Sequence, residues 1–324
     1  MKNMILELSR IISPPGREDG VRDYVKNKIA GADFEVDPMG SLIVRLPKNA
    51  DGEGARIMVS ASMDEPVFVV NDADSEGRLR FASLGDPDLG SVSYAAAEFE
   101  NGLTGVILPL DREKKDDVLS FCADVGASSK EEALSLAATG VCLRPASSAA
   151  SPSDKLICAP SAAAKAGVAV LLGVYEKLAG VARGNDIYLA FTAHGKVGAR
   201  GAGPAAARIK PDRAVSVSAI PAGEGTPRKT GEGPSILALG ERFVPDPDVT
   251  DALKRAAEKA GVGYSVAAEK KTGIIDAFSI QRTGAGAPSG AVCVPAKYIG
   301  SPAETVDPSD AEGAAEIIAK FCLD

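Results

Sequence analysis

The chain has 324 residues, 45% of them apolar and 25% charged, enough for one large domain or two modest ones with a substantial core. Aromatic residues make up only 5% and tryptophan is absent, so that core has to be built mainly from Ala, Val, Leu and Ile. A formal net charge of −8 with no basic run argues against nucleic acid and against an anionic membrane surface as partners.

Read in chain order, Ile5, Leu8 and Ile12 share a helical face that ends at Pro14-Pro15-Gly16, and Val21, Val25 and Ile29 continue as a second amphipathic helix. The early charges in this segment do not suit a signal peptide. Leu42 to Val44 reads as a strand, and so does the nearly continuous apolar run from Arg56 to Met63, as for a covered central strand. From residue 69 to 158 the segments become short, β-like and broken by Gly, Asp and Pro. One helix interrupts them, starting near Ser128-Ser129 with Glu131 and Glu132 in its first turn. The acidic stretch Asp111 to Asp117 reads as a solvated loop, and Pro145 to Ser153 as a linker.

Beyond it, α/β alternation resumes. A helix is expected from about Ser161, followed by strands at Asp186–Ala193, Ala214–Ala219 and Ser235–Leu239. A helix at Asp246–Ala260, a strand at Ala291–Pro295 and a helix at Ser309–Phe321 complete the chain. The apolar stretch Ala162 to Val181 is broken by Lys165, Glu176 and Lys177, which suits a buried helix and not a membrane span. The expected fold is α/β, with a mostly parallel central sheet covered by helices on both faces. Residues 1–68 and 159–324 form that domain, and 69–158 a small β-rich insertion. Ligands of such sheets sit at the carboxyl ends of the strands, just after Val59, Phe191, Val217 and Pro295. Five dispersed cysteines (Cys122, Cys142, Cys158, Cys293 and Cys322), with no Cys-x-x-Cys pair, suit free thiols in the cytoplasm. Gly198-x-x-Gly201 and Gly284-x-Gly286 match no dinucleotide or phosphate fingerprint and read as loops.

Several ordered segments carry a resemblance along nearly the whole chain. They are Ile12-Ser13-Pro14-Pro15-Gly16-Arg17-Glu18, Asp37-Pro38-Met39-Gly40-Ser41-Leu42, Ser62-Met63-Asp64-Glu65 and Ala123 to Ser129. Val197-Gly198-Ala199-Arg200-Gly201-Ala202, Lys210-Pro211-Asp212, Gly233-Pro234 and Lys297 to Ser301 follow in order. Together they resemble the glutamyl, or tetrahedral, aminopeptidase family of zinc metallopeptidases. The resemblance implies an α/β domain with an inserted β-rich dimerisation domain, and dimers that assemble into hollow tetrahedral dodecamers. It also implies two zinc or cobalt ions and a Glu base that activates a bridging water.

Carried over residue by residue, the metal site fails. The family's first histidine falls on Ser62, the bridging aspartate on Ala163, and the Glu–Glu pair on Gly195 and Lys196. The next aspartate falls on Ser218 and the last histidine on Gly300. None of Ser62, Ala163, Lys196, Ser218 and Gly300 has a side chain suited to zinc, and Gly195 stands at the base position. The chain's single histidine, His194, is not a family ligand position. No catalytic residue is intact, no cofactor is expected, and Asp64 and Glu65 remain as remnant cleft residues, Asp64 facing Lys196 as a candidate ion pair.

The resulting expectation is a catalytically silent homologue that serves as an assembly or regulatory subunit, or as a peptide-binding scaffold or sensor. It would form homo-oligomers through 69–158, or hetero-oligomers with active paralogues. Two alternatives are an active aminopeptidase whose metal is held by relocated ligands such as Asp64, Glu65 and Asp276, and a Ser–His–Asp hydrolase drawn from Ser62 or Ser218, His194 and Asp64.

Overall fold

The fold is taken from a computed structural model that describes residues 1–324 except 51–53, 112, 115, 148–149, 224 and 271. The expected linker at 145–153 and acidic loop at 111–117 therefore lie partly outside the described residues.

The chain opens with helices α1 (Lys2–Ser9) and α2 (Asp19–Lys28), which bury Ile5, Leu8, Val21 and Val25. A hairpin follows, β1 (Asp33–Val36) and β2 (Leu42–Leu46). Its turn is held by Asp37 Oδ1, which accepts the N–H groups of Met39 and Ser41, and Gly40 supplies the left-handed residue at φ 90°. The central strand β3 (Arg56–Ser62) is buried over most of its length.

The chain then leaves the sheet to build a closed barrel from β4 (Val67–Ala73), β5 (Leu79–Leu84), β6 (Ala96–Phe99), β7 (Thr104–Pro109), β8 (Phe121–Asp124) and β9 (Cys142–Pro145). The spatial order is β4-β5-β8-β7-β6-β9. Closure leaves this small sheet no free edge, and Phe68, Phe81, Phe99, Phe121 and Leu143 fill its interior. Helix α3 (Lys130–Leu136) packs outside, capped by Ser129 Oγ, while Glu132 reaches back to Ser128.

The main domain resumes with β10 (Ile157–Cys158), α4 (Ala162–Leu178), β11 (Asp186–Thr192), α5 (Ala202–Ile209), β12 (Arg213–Pro221) and β13 (Ser235–Leu239). It ends with α6 (Pro247–Ala260), β14 (Ser265–Ala268), α7 (Asp276–Ile280), β15 (Ser289–Lys297), β16 (Thr305–Val306) and α8 (Pro308–Leu323). The sheet order is β1-β2-β11-β3-β12-β15-β13-β14, with β16 and β10 attached beside β15. The inserted barrel thus has its strands within residues 67–145, and Ile157–Cys158 belongs to the main sheet.

The sheet is mixed. Its centre, β11-β3-β12-β15, is parallel, whereas β2, β13 and β16 join it antiparallel. The parallel strands read as unbroken apolar runs because helices cover both faces. α1, α2, α4, α6 and α8 supply one layer, while α5 and α7 lie on the other side. Helix α4 is buried nearly all round, which accounts for the long apolar stretch in the sequence. Gly167 lets it approach β3, since a Cβ there would lie 3.3 Å from that of Ala61. Among the described residues, no helix is long and apolar enough to cross a membrane.

Candidate active-site cleft

The carboxyl ends of β3, β11 and β12 open onto one cavity of about 350 Å³. The first turn of α4 and the loops at 194–198, 272–276 and 298–304 complete its wall. This is where a parallel sheet with crossover helices places its ligand. Ser62, Ala163, Gly195, Lys196 and Ser218 all line it, so the fold brings these widely separated positions together. Gly300 stands behind the wall, in a smaller adjoining pocket.

Two glycines are sterically enforced here. A Cβ on Gly195 would lie 2.2 Å from that of Ser62 and 2.7 Å from Asp64 Oδ1. At Gly300 (φ 86°) a Cβ would lie 3.0 Å from both Asp86 O and Asp88 N. Gly195→Ala is therefore expected to lose about 1–3 kcal/mol of stability through overpacking. Part of that loss should return in a Ser62→Gly background, and equilibrium urea denaturation of the single and double variants measures both. A fully tolerated Gly195→Ala would show that the loop yields.

Asp64 is fully buried beneath the 194–198 loop, not in the cavity wall. Its Oδ1 accepts the Gly195 N–H at 2.9 Å and its Oδ2 the Lys196 N–H at 2.7 Å. The Asp64–Lys196 ion pair expected from the sequence is thus replaced by a bond to the Lys196 backbone, because the loop turns its N–H groups, and not the ammonium, onto the carboxylate. Burial raises the Asp64 pKa, against the pull of Lys196 and the two N–H donors.

Glu65 leaves the cleft altogether. It is wholly buried where the chain passes from sheet to barrel, accepting the Ser13 N–H at 2.8 Å and pairing with Arg144 Nη1 at 3.0 Å and with Lys165 Nζ at 3.7 Å. Burial alone would raise its pKa, but the two cations hold it below the ordinary range. Arg144 also bonds Ser9 O and Glu98, and Lys165 donates to Ser13 Oγ. The three ionic side chains tie barrel, N-terminal segment and α4 together.

Four carboxyl groups line the cavity, Asp86, Glu241, Asp276 and Glu304, and of these only Asp276 is a sequence candidate, as a relocated metal ligand. Glu304 spans the wall, its Oε2 accepting the Ala163 N–H at 2.8 Å and its Oε1 the Gly300 N–H at 2.7 Å. Burial raises its pKa. Its only sequence signal is its place four residues after Gly300, in a loop with no periodicity. Asp276 opens α7, accepts a bond from Thr192 Oγ1 at 2.8 Å, and has its pKa pushed up to about 6 by burial.

The structure assembles neither of the two residue constellations drawn from the sequence as alternatives. Asp64, Glu65 and Asp276 point to separate partners, and among the described residues no group of three His, Cys, Asp or Glu side chains converges to hold a metal. The donors present do not fit a zinc pair: Ser62, Ala163, Lys196 and Ser218 bring hydroxyls, a methyl and an ammonium to the cavity, and its carboxyl groups, Asp86, Glu241, Asp276 and Glu304, do not converge in a set of three. His194 turns its ring toward Gly16, where an added Cβ would lie 2.8 Å from Cε1, and no hydrogen bond joins it to Ser62, Ser218 or Asp64 among the described residues. The serine-hydrolase constellation is therefore not assembled.

Among the non-glycine residues in left-handed backbone beside the cleft are Ser161 (φ 56°), His194 (φ 54°) and Tyr298 (φ 57°). They stand one or two residues from Ala163, Gly195 and Gly300. Each costs roughly 1 kcal/mol, and such strain gathers where a loop must present a defined surface.

A doubly covered α/β sheet, a cleft at its strand ends and a barrel inserted after the central strand define the aminopeptidase class of fold. The chain belongs to the M42 glutamyl aminopeptidase family, whose profile matches residues 40–317. A protein of Acetivibrio thermocellus is 30% identical over 98% of this chain and 97% of its own length. The lysyl aminopeptidase of Pyrococcus furiosus is 26% identical, over 94% and 92%. Among solved structures, an aminopeptidase from the archaeon Desulfurococcus kamchatkensis superposes with a TM-score of 0.90 at 26% identity, covering 99% of this chain and 94% of that one. The TET1 peptidase of Pyrococcus horikoshii, which can assemble into a tetrahedron or a large octahedral shell, matches at 0.87 and 26%, over 98% of each chain.

Proposed function

We propose that this chain is a catalytically silent member of its family, a cytoplasmic subunit that keeps the family's shape and peptide cleft without its hydrolytic chemistry. The observation that carries this reading is the lining of the cleft. The positions that correspond to the family's metal ligands are Ser62, Ala163, Lys196, Ser218 and Gly300, and the base position is Gly195. Metal affinity comes from ligand imidazoles and carboxylates, and the close contacts at Gly195 and Gly300 leave no room to restore the larger side chains on this backbone. Five free thiols agree with a reducing compartment.

In this reading the barrel at 67–145 serves as the dimerisation domain. The dimers build a shell, either of this chain alone or together with active paralogues. Dialysis against zinc or cobalt, metal analysis and an assay for release of N-terminal residues test the silent reading. The expected result is neither stoichiometric metal nor turnover. Two tightly held ions per chain with peptide hydrolysis would establish a working enzyme instead. Native mass spectrometry of protein purified from its own cells distinguishes the homo-oligomer from the mixed shell.

A further inference from the structure

The cleft contains a charge pattern that an empty scaffold would not need. The Lys196 side chain lines the cavity, half-buried, and no carboxylate among the described residues comes within 4 Å of its ammonium. The nearby acids are held by other donors. Both oxygens of Asp64 and both of Glu304 take backbone N–H groups, and Asp276 takes the Thr192 hydroxyl. Lys196 thus lines the cavity together with the hydroxyl residues Ser62 and Ser218, its ammonium in no ion pair among the described residues.

The same cavity is lined by Asp86, Glu241, Asp276 and Glu304. Each oxygen of Glu304 accepts one N–H bond and keeps a second lone pair for another donor. A purely anionic ligand would meet these carboxyl groups, and a purely cationic one would meet Lys196. A ligand bearing both charges satisfies both sets. The remaining walls are apolar, among them Ala164, Val217 and Ile275. A volume of about 350 Å³ lies at the lower end of small-ligand pockets.

We infer that the cleft binds a small zwitterion without metal, a free amino acid or short peptide whose carboxylate pairs with Lys196 and whose ammonium faces Asp276 and Glu304. This rests on the silent reading, since Lys196 stands where a metal ligand would be. It adds a requirement that peptide binding alone does not impose, namely a free carboxylate close to the amine.

The test is isothermal titration calorimetry in EDTA with leucylleucine, its C-terminal amide and its N-acetyl derivative. Leucylleucine is expected to bind, and each modification to weaken binding roughly tenfold or more, the scale of losing one half-buried charge pair. Lys196→Met should weaken leucylleucine by a similar factor and leave the amide unchanged, and Lys196→Arg should restore part of the loss. Equal binding of dipeptide and amide by the native protein would overturn the inference without any variant, as would the absence of leucylleucine binding at millimolar concentration. Both results leave the silent reading standing, which falls only to bound metal and turnover in the separate assay.

Discussion

Glu65→Gln is expected to lower the free energy of unfolding by about 3–5 kcal/mol, because it leaves buried Lys165 without a carboxylate and Arg144 with only the part-exposed Glu98. Arg144 and Lys165 have side-chain exposures of 4% and 0%, and Glu65 is the fully buried carboxylate they share. Removing its charge leaves them facing each other in a medium that screens poorly. For a chain of this size the melting temperature should fall by on the order of ten degrees. Calorimetry and urea denaturation measure the loss. Adding Arg144→Met should recover part of it, since it removes one of the two cations that the lost carboxylate held and so their mutual repulsion, leaving Lys165. A single variant within about 0.5 kcal/mol of the parent would show that water reaches the junction.

Asp276→Asn is expected to stabilise the protein at pH 7.5 by about 1–3 kcal/mol and to change little at pH 4. Burial raises the Asp276 pKa from 3.8 to about 6, so the folded state binds its proton more tightly than the unfolded chain does. The associated stabilisation is complete below about pH 4 and is lost as the pH rises through about 6. A shift of that size corresponds to at most ~3 kcal/mol. Asp310, whose pKa burial also lifts to about 6 while it accepts the Gly231 and Gly233 N–H groups, adds to the same slope. Melting curves between pH 4 and 8 should therefore be flatter for the Asn variant. A loss of stability at pH 7.5 would mean that ionised Asp276 is favourably paired, with Lys196, whose charge already favours the ionised form, the candidate.

Elements with one dominant period were legible in the sequence. The amphipathic faces of α1, α2 and α6 and the apolar runs of β3, β11 and β15 each give a clear signal, and the Ser129–Glu132 pair marks the start of α3. Helix α5 was not, since Gly203 and Pro204 lie in its first turn and only Ala and Ile form its buried face. Helix α7 is a five-residue segment too short for any periodicity. The antiparallel borders of the sheet were also hidden, because strand direction depends on which distant partner wins the edge and not on local pattern. In the cleft, the resemblance led to Ser62, Ala163, Gly195, Lys196 and Ser218, which line one cavity, and to Gly300, which stands behind its wall. What it could not foretell was hydrogen bonding: Asp64 bonds to backbone amides and not to the Lys196 ammonium, and Glu65 serves the domain junction. Both outcomes depend on the course of the loops, which sequence spacing leaves open.

The ionic junction also has a mechanical meaning. Glu65 lies where the chain enters the barrel, Arg144 near where it leaves, and Lys165 directly follows Ala163 and Ala164 in the helical turn that walls the cavity. Barrel and cavity wall are thus joined through one shared carboxylate, so a change in how the barrel sits would be felt first at that helical turn.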